Sequence, residues 1–116
     1  EISIEYARSS IAIVSSLYEG FGYPVIEAMS CAIPLIAANT SSIPELVGGH
    51  ATLIEPKDSD SLVDSIKHVI GNYDDYDLMA RKGRKHVIRH FNWNKISKEY
   101  EDIIIKNIRD FHNANI

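Results

Sequence analysis

The 116-residue chain is predicted to be an α/β domain in which a parallel sheet is flanked by helices. Short apolar runs rich in β-branched residues, such as Ile11–Val14, are typical of strands in a parallel sheet. Longer runs between and after them carry apolar residues at helical spacing. Strands and helices that alternate in this way imply right-handed parallel crossovers. The sequence therefore predicts a Rossmann-like parallel sheet with helices on its faces.

The first elements lead into a glycine-rich turn. Glu1–Ser10 has the pattern of the end of a helix, and we expect the strand Ile11–Val14 that follows to be buried on both faces. After the strand, Gly20 and Gly22 flank Phe21. Glycine takes a positive φ easily and lets a ligand approach the backbone closely. The turn is therefore predicted to lie at the carboxyl end of the strand.

A helix is predicted from Pro24 to about Cys31. Proline fits the first helical position, because the amide it lacks has no partner within the helix. The residues expected to face the sheet are Val25, Ile26, Ala28 and Met29. At the start of this helix we expect four free amides, those of Gly22, Tyr23, Val25 and Ile26. The helix dipole favours an anion such as phosphate at this position.

Two carboxylates flank the same helix start, since Glu19 precedes the turn and Glu27 lies about one turn into the helix. A carboxylate accepts hydrogen bonds and donates none, so beside an anion site it suits sugar hydroxyls better than phosphate. A nucleotide sugar carries both groups. Each residue also has an ordinary interpretation, Glu19 as a solvated turn acid and Glu27 as an acid that the helix dipole stabilises.

Two more strands are predicted at Ile33–Ala38 and Thr52–Ile54. Between them, Ser42 and Glu45 have the spacing of a capping box at the start of a short helix. We therefore assign Glu45 to the cap rather than to catalysis. Gly48–Gly49 ends this helix.

Three amphipathic helices complete the chain. Asp58 or Ser59 caps the first, the second runs from Tyr76 to about His90, and Asn92 caps the third. Their apolar positions are Leu62, Val63, Ile66, Val69 and Ile70, then Met79, Ala80, Gly83 and Val87, then Trp93, Ile96, Tyr100, Ile103, Ile104 and Ile108.

The segment EGFGYPVIEAM, from Glu19 to Met29, is followed by Pro34 and by SIPELV, from Ser42 to Val47. Together they closely resemble the Glu-x7-Glu region of retaining glycosyltransferases of family 4, which have the two-domain GT-B fold. The resemblance covers about residues 9–56, and Phe91-x-Trp93 continues it more weakly.

The resemblance implies roles for the residues of the turn. Glu27 is expected to hold the ribose hydroxyls of a UDP- or GDP-sugar, and Glu19 is the catalytic candidate, close to the donor sugar and the reaction centre. The backbone segment expected to bind the donor consists of Gly20, Phe21, Gly22 and Tyr23. Phe21 also has an ordinary interpretation as a hydrophobic plug over the sheet. No metal and no other cofactor is implied.

Residues 1–116 are, by this resemblance, the C-terminal half of a GT-B donor-binding domain. The chain is too short for two Rossmann-like domains and begins at Glu1, so we expect a longer enzyme and an inactive piece. A basic pair from the earlier half of the domain and an N-terminal domain for the acceptor are expected to complete it. Three positions depart from the family pattern, namely Ser15, Ala32 and His50.

Charge and composition narrow the class of protein. The net charge of −4 and pI near 5.7 argue against a nucleic-acid binder. The single cysteine, Cys31, cannot form an internal disulfide, and this favours the cytoplasm.

Residues 81–98 hold seven Lys or Arg and no acid. We interpret this run as a solvated face, with contact to anionic lipid at the inner membrane face as the alternative. His86 and His90 have the spacing of a metal pair, but nearby cations disfavour a metal.

The sequence thus predicts transfer of a glycosyl group from a nucleotide sugar to a glycan or lipid-linked acceptor, as in polysaccharide biosynthesis. A non-catalytic nucleotide- or sugar-binding module on the same fold is the main alternative, and a non-transferase enzyme such as a nucleotide-sugar epimerase is a third. Consumption of the donor separates the first two.

Overall fold

The computed structural model of the protein describes residues 2–115. Its elements are α1 (Ile2–Arg8), β1 (Ala12–Val14), α2 (Tyr23–Ser30), β2 (Leu35–Ala38), α3 (Ile43–Val47), β3 (Thr52–Ile54), α4 (Ser59–Gly71), α5 (Tyr73–His90) and α6 (Trp93–Ala114). The predicted α/β class is confirmed. α5 starts at Tyr73 rather than at the predicted Tyr76, and this places Asp74 and Asp75 in its first turn, where the helix dipole favours acids.

The three strands form one parallel sheet in the order β1-β2-β3. Ala12 pairs with Leu35, and Ile36 pairs with Thr52. Because the strands are parallel, their carboxyl ends lie at one edge of the sheet. The glycine-rich turn after β1 and the loop before α3 both leave from this edge, which is why residues far apart in sequence meet there.

Helices cover the two faces of the sheet unequally. On one face the core consists of Ala12, Val14, Val25, Ala28, Met29, Ile33, Leu35, Ala37, Ile43, Leu46, Val47 and Val87. On the other face Ile36, Ile54 and Val69 form a smaller cluster. β2 is buried on both faces, but Ile13 of β1 is 46% exposed. The prediction that the first strand is buried on both faces is therefore wrong, because β1 is the edge strand and its Ile13 lies on the thinly covered face.

The carboxyl end of α2 is closed by a left-handed residue. Ala32 has φ 55°, and the amide of Ile33 donates to the Ala28 carbonyl at 3.4 Å while the amide of Ala32 donates to the Met29 carbonyl at 3.0 Å. This is the hydrogen-bond pattern of a Schellman motif, whose left-handed position is usually glycine. Ala32 therefore occupies a position that glycine would fill without strain.

Two of the three predicted helix caps are confirmed. Asp58 accepts a hydrogen bond from the Ser61 amide at 2.9 Å, and Asn92 accepts one from the Asn94 amide at 2.9 Å. The helix after Asn92, α6, has no buried residue. Its predicted apolar stripe is present but faces solvent in the described chain, except for Ile96, which is partly buried. No helix within residues 2–115 combines the length and apolarity needed to cross a bilayer.

Candidate functional site

The turn between β1 and α2 depends on Gly22 for two structural reasons. Gly22 has φ 92°, a left-handed conformation that side chains disfavour. A Cβ atom at this position would also lie 2.6 Å from the Cδ1 atom of buried Leu46. Gly20, in contrast, has open space around its Cβ direction. The positive φ expected of this turn therefore belongs to Gly22, and Gly20 leaves room beside the backbone.

Three consecutive hydroxyls from the loop before α3 hold the turn. Thr40 Oγ1 donates to the Leu17 carbonyl at 3.0 Å, and Ser41 Oγ donates to the Glu19 carbonyl. Ser42 Oγ donates to the Phe21 carbonyl at 3.1 Å and lies 3.4 Å from the Glu19 carbonyl oxygen. The carbonyls of Leu17, Glu19 and Phe21 therefore each accept a hydrogen bond from the loop before α3.

The predicted capping box at Ser42 and Glu45 is wrong. Ser42 does occupy the N-cap position of α3, but its side chain makes no capping hydrogen bond. The hydroxyl of Ser42 donates its one proton to the turn. In this orientation its oxygen is not aligned with the amides of α3. Glu45 is an exposed acid in the first turn of α3.

The helix start offers fewer free amides than predicted. The amides of Val25 and Ile26 both donate to the Gly22 carbonyl, at 3.0 and 3.3 Å, so the prediction is wrong for these two. The amides of Gly22 and Tyr23 donate to no protein group within residues 2–115. Two amides at the positive end of the α2 dipole therefore remain for an anion.

Both carboxylates of the predicted site are partly buried, and each is held by one hydroxyl. Ser16 Oγ donates to Glu19 Oε1 at 2.6 Å. Tyr6 Oη, on α1, lies 3.3 Å from Glu27 Oε2. Sequence reasoning missed both partners. Ser16, three residues before Glu19, was within reach of a local search, whereas Tyr6 meets Glu27 only through the tertiary fold.

Phe21 lies at the rim of the site instead of plugging the sheet. Its side chain is 42% exposed, and its ring centroid is 5.0 Å from that of Tyr23 and 5.9 Å from that of Phe91. Phe91 in turn packs against the main core. The ring of Phe21 is therefore supported from α5 while its outer face stays open.

The two histidines of α5, His86 and His90, pack against each other with their rings tilted by 45°. The ring centroids of His86 and His90 are 4.7 Å apart, and His50 lies 5.4 Å from His86. Desolvation, followed by the charges of His86, Lys95 and Arg89, lowers the pKa of His90. Within residues 2–115 no group of three or more His, Cys, Asp or Glu is placed to hold a metal ion.

The basic run of α5 is partly engaged within the chain. Arg81 pairs with Asp77 at 2.8 Å, and an Arg84 guanidinium nitrogen donates to the Ser30 carbonyl at the end of α2. A cation at this end of a helix is favoured by the dipole. Arg81 and Arg84 are therefore engaged by other groups of the chain.

A cleft of about 290 Å³ lies at the carboxyl edge of the sheet, on the side of α4. Its walls include Ser15 after β1, Ala38 of β2 and Ile54 of β3. Glu19 and Glu27 are not among its lining residues. The two carboxylates instead border the α2 side of the same edge.

Residues 1–86 match the family described as Glycosyl transferases group 1. The chain is 42% identical over 57 residues to O-antigen chain mannosyltransferase B of Escherichia coli. This match covers 49% of the chain and 15% of that protein. It is 30% identical over 112 residues to N-acetyl-alpha-D-glucosaminyl L-malate synthase of Bacillus anthracis. This match covers 95% of the chain and 29% of that protein. The chain thus spans less than a third of either relative.

Solved structures share the fold. Sucrose-phosphate synthase from Thermosynechococcus elongatus superposes with a TM-score of 0.85 at 26% identity, over 92% of this chain and 27% of that one. HepE from Anabaena, in complex with UDP-glucose, superposes with a TM-score of 0.82 at 24% identity, over 88% of this chain and 29% of that one. These neighbours have the GT-B architecture, which the sheet and flanking helices described above reproduce in part.

Proposed function

Because the chain belongs to the group 1 glycosyl transferases, we propose that it forms part of the donor site of a retaining hexosyltransferase of family 4. Residues 1–116 are then the C-terminal half of the nucleotide-sugar-binding domain. The enzyme transfers a glycosyl group from a UDP- or GDP-sugar to a glycan or lipid-linked acceptor. An N-terminal domain of the same enzyme supplies the acceptor site, and the reaction takes place in the cytoplasm or at the inner face of the membrane.

The observation that carries this proposal is the arrangement at the start of α2. The amides of Gly22 and Tyr23 have no protein partner within residues 2–115. Glu19 and Glu27, which precede and follow them in the sequence, are partly buried and each have one hydroxyl partner. An anion site beside two acceptors matches the diphosphate and hydroxyls of a nucleotide sugar. All of these residues fall within the segment that matches the family.

The chemistry follows from where charge develops. When the bond between the sugar and the diphosphate breaks, negative charge grows on the diphosphate. The Gly22 and Tyr23 amides and the α2 dipole are already oriented and stabilise that charge without reorganising. In this proposal Glu27 holds the ribose, and Glu19 is the catalytic candidate close to the donor sugar. Gly20 lets the donor approach the backbone because it carries no side chain.

The first test is donor binding and turnover by the enzyme that contains this chain. We expect Glu27→Ala to weaken UDP or GDP binding about tenfold or more, because ribose hydroxyls lose a charged acceptor. Calorimetric titration measures this change. The matched control is Glu45→Ala, which removes an exposed acid from the first turn of α3 and should leave the affinity unchanged.

Turnover separates the transferase from a binding module. Incubation with radiolabelled UDP-glucose or GDP-mannose and a glycan extract should release nucleoside diphosphate and label the glycan. Binding without any consumption of donor would contradict catalysis. Equal affinity of the Glu27→Ala and unmodified proteins would contradict the assignment of the ribose site.

A further inference from the structure

Tyr6, in α1, makes a contact that the proposed roles of the turn do not use. Its hydroxyl oxygen lies 3.3 Å from Oε2 of Glu27 and 3.5 Å from the carbonyl oxygen of Pro24. The three residues belong to the same side of the sheet, where the ring of Tyr6 packs against the main core. A partly buried polar group in contact with a proposed ligand-binding carboxylate is a candidate for controlling that carboxylate.

We propose that Tyr6 is a positioning residue, whose hydroxyl orients the Glu27 carboxylate for the ribose of the donor. This inference rests on the proposed function, since it assumes that Glu27 binds ribose. Tyr6 touches Glu27 and not the reacting atoms, so its effect reaches the donor through Glu27.

The hydroxyl favours Glu27 over Pro24. A phenol donates one proton and can satisfy only one of the two acceptors at a time. The carboxylate oxygen is nearer, and hydrogen bonds to a charged acceptor are stronger than those to a neutral carbonyl. The 3.3 Å separation is long for a bond of this kind, and such bonds often shorten when the ligand binds.

The hydroxyl also keeps its proton at physiological pH. Burial, and then the charge of Glu27, raise the pKa of Tyr6 above its ordinary value near 10. Tyr6 therefore acts as a donor throughout the range in which an enzyme works. A donor with a fixed ring suits a positioning role, because the ring is packed against core residues and cannot follow Glu27 freely.

Fixing Glu27 matters because a glutamate side chain is among those that lose most rotamer freedom when held. A hydrogen bond from Tyr6 to Oε2 restrains the carboxylate and leaves Oε1 as an acceptor for the ligand. A ribose hydroxyl then meets an acceptor that is already ordered, and less entropy is lost on binding. Removal of the phenol hydroxyl should thus weaken ribose recognition while leaving the diphosphate contacts in place.

The experiment removes the hydroxyl and keeps the ring. In the enzyme that contains this chain, we expect Tyr6→Phe to weaken UDP or GDP binding about three- to tenfold, less than the loss expected for Glu27→Ala, because the hydroxyl acts on the donor only through Glu27. The melting temperature should change little. The control is Tyr73→Phe. It removes a phenol hydroxyl that donates to the Ser10 carbonyl at 3.0 Å, outside the turn, and it should leave the affinity unchanged.

A double-mutant cycle and a second ligand isolate the positioning role. In a Glu27→Ala background, Tyr6→Phe should have no further effect on affinity, because the carboxylate that the hydroxyl positions is gone. The unmodified protein should prefer UDP to 2′-deoxy-UDP, and Tyr6→Phe should reduce this preference. The preference is a ratio within one protein, so a loss of folded material does not change it.

The outcomes distinguish this inference from the proposed function. If Glu27→Ala weakens binding but Tyr6→Phe does not, or if the two effects are additive, the positioning role is overturned and the donor site stands. A loss with Tyr73→Phe equal to that with Tyr6→Phe overturns it as well. If neither UDP nor GDP binds the unmodified protein, both the donor site and the positioning role are overturned.

Discussion

The hydroxyl of Ser42 donates to the carbonyl of Phe21 at 3.1 Å, and this bond joins the loop before α3 to the turn before α2. The two residues are 21 positions apart in the chain. Ser42 occupies the N-cap position of α3 without using its side chain to cap it. The bond therefore shapes the candidate donor site and contributes little to the helix that Ser42 precedes.

Ser42→Ala tests that division of labour. We expect donor affinity to fall severalfold because the Phe21 carbonyl is released, while the free energy of unfolding drops by no more than about 1 kcal/mol. Calorimetry with UDP or GDP and thermal melting measure the two quantities. Ser97→Ala is the control, since that hydroxyl donates to its own helix at 3.2 Å on exposed α6. Loss of stability with unchanged affinity would indicate that Ser42 is a structural cap after all.

The two glycines of the turn should respond differently to a methyl group. Gly22→Ala is expected to cost at least about 1 kcal/mol in stability, because the residue is left-handed and its Cβ would meet Leu46. Gly20→Ala should leave stability unchanged, because the space beside it is open, and should weaken donor binding by blocking close approach. Chemical denaturation and calorimetry on both variants check this.

Each glycine variant also controls for the other. A Gly20→Ala protein that binds donor normally would show that the donor does not approach this backbone. A Gly22→Ala protein that melts normally would mean that the turn relaxes around the new side chain.

Ala32→Gly should stabilise the protein by about 1 kcal/mol. Ala32 is held at φ 55° in the Schellman motif after α2, and glycine takes this conformation without the penalty from Cβ. Thermal melting should show a rise of a few degrees. The control with opposite sign is Ala80→Gly, in the interior of α5, which should cost more than about 1 kcal/mol because it lowers helix propensity and also removes a buried methyl group. A fall in melting temperature for Ala32→Gly would contradict the strain argument.

The departures from local prediction lie where parts of the chain meet. Ile13 was expected to be buried because its run is apolar, but burial depends on which strand is at the edge of the sheet. Ser42 and Glu45 have the spacing of a capping box, yet the hydroxyl of Ser42 donates to the Phe21 carbonyl in the turn and does not cap α3. In both cases the local pattern is correct and a neighbouring segment changes the result.

The sequence by itself determined the alternation of strands and helices, the glycine turn, and the caps at Asp58 and Asn92. These features arise from interactions between residues a few positions apart, whose geometry the backbone fixes locally. Only the tertiary structure decided that Ser42 holds Phe21, because parallel pairing of β1 with β2 brings their two following loops to one edge of the sheet. It also decided that Tyr6 meets Glu27, because α1 and α2, which precede and follow β1, pack against the same core cluster. Contacts over about 20 residues depend on such pairing and packing, and no local periodicity encodes them.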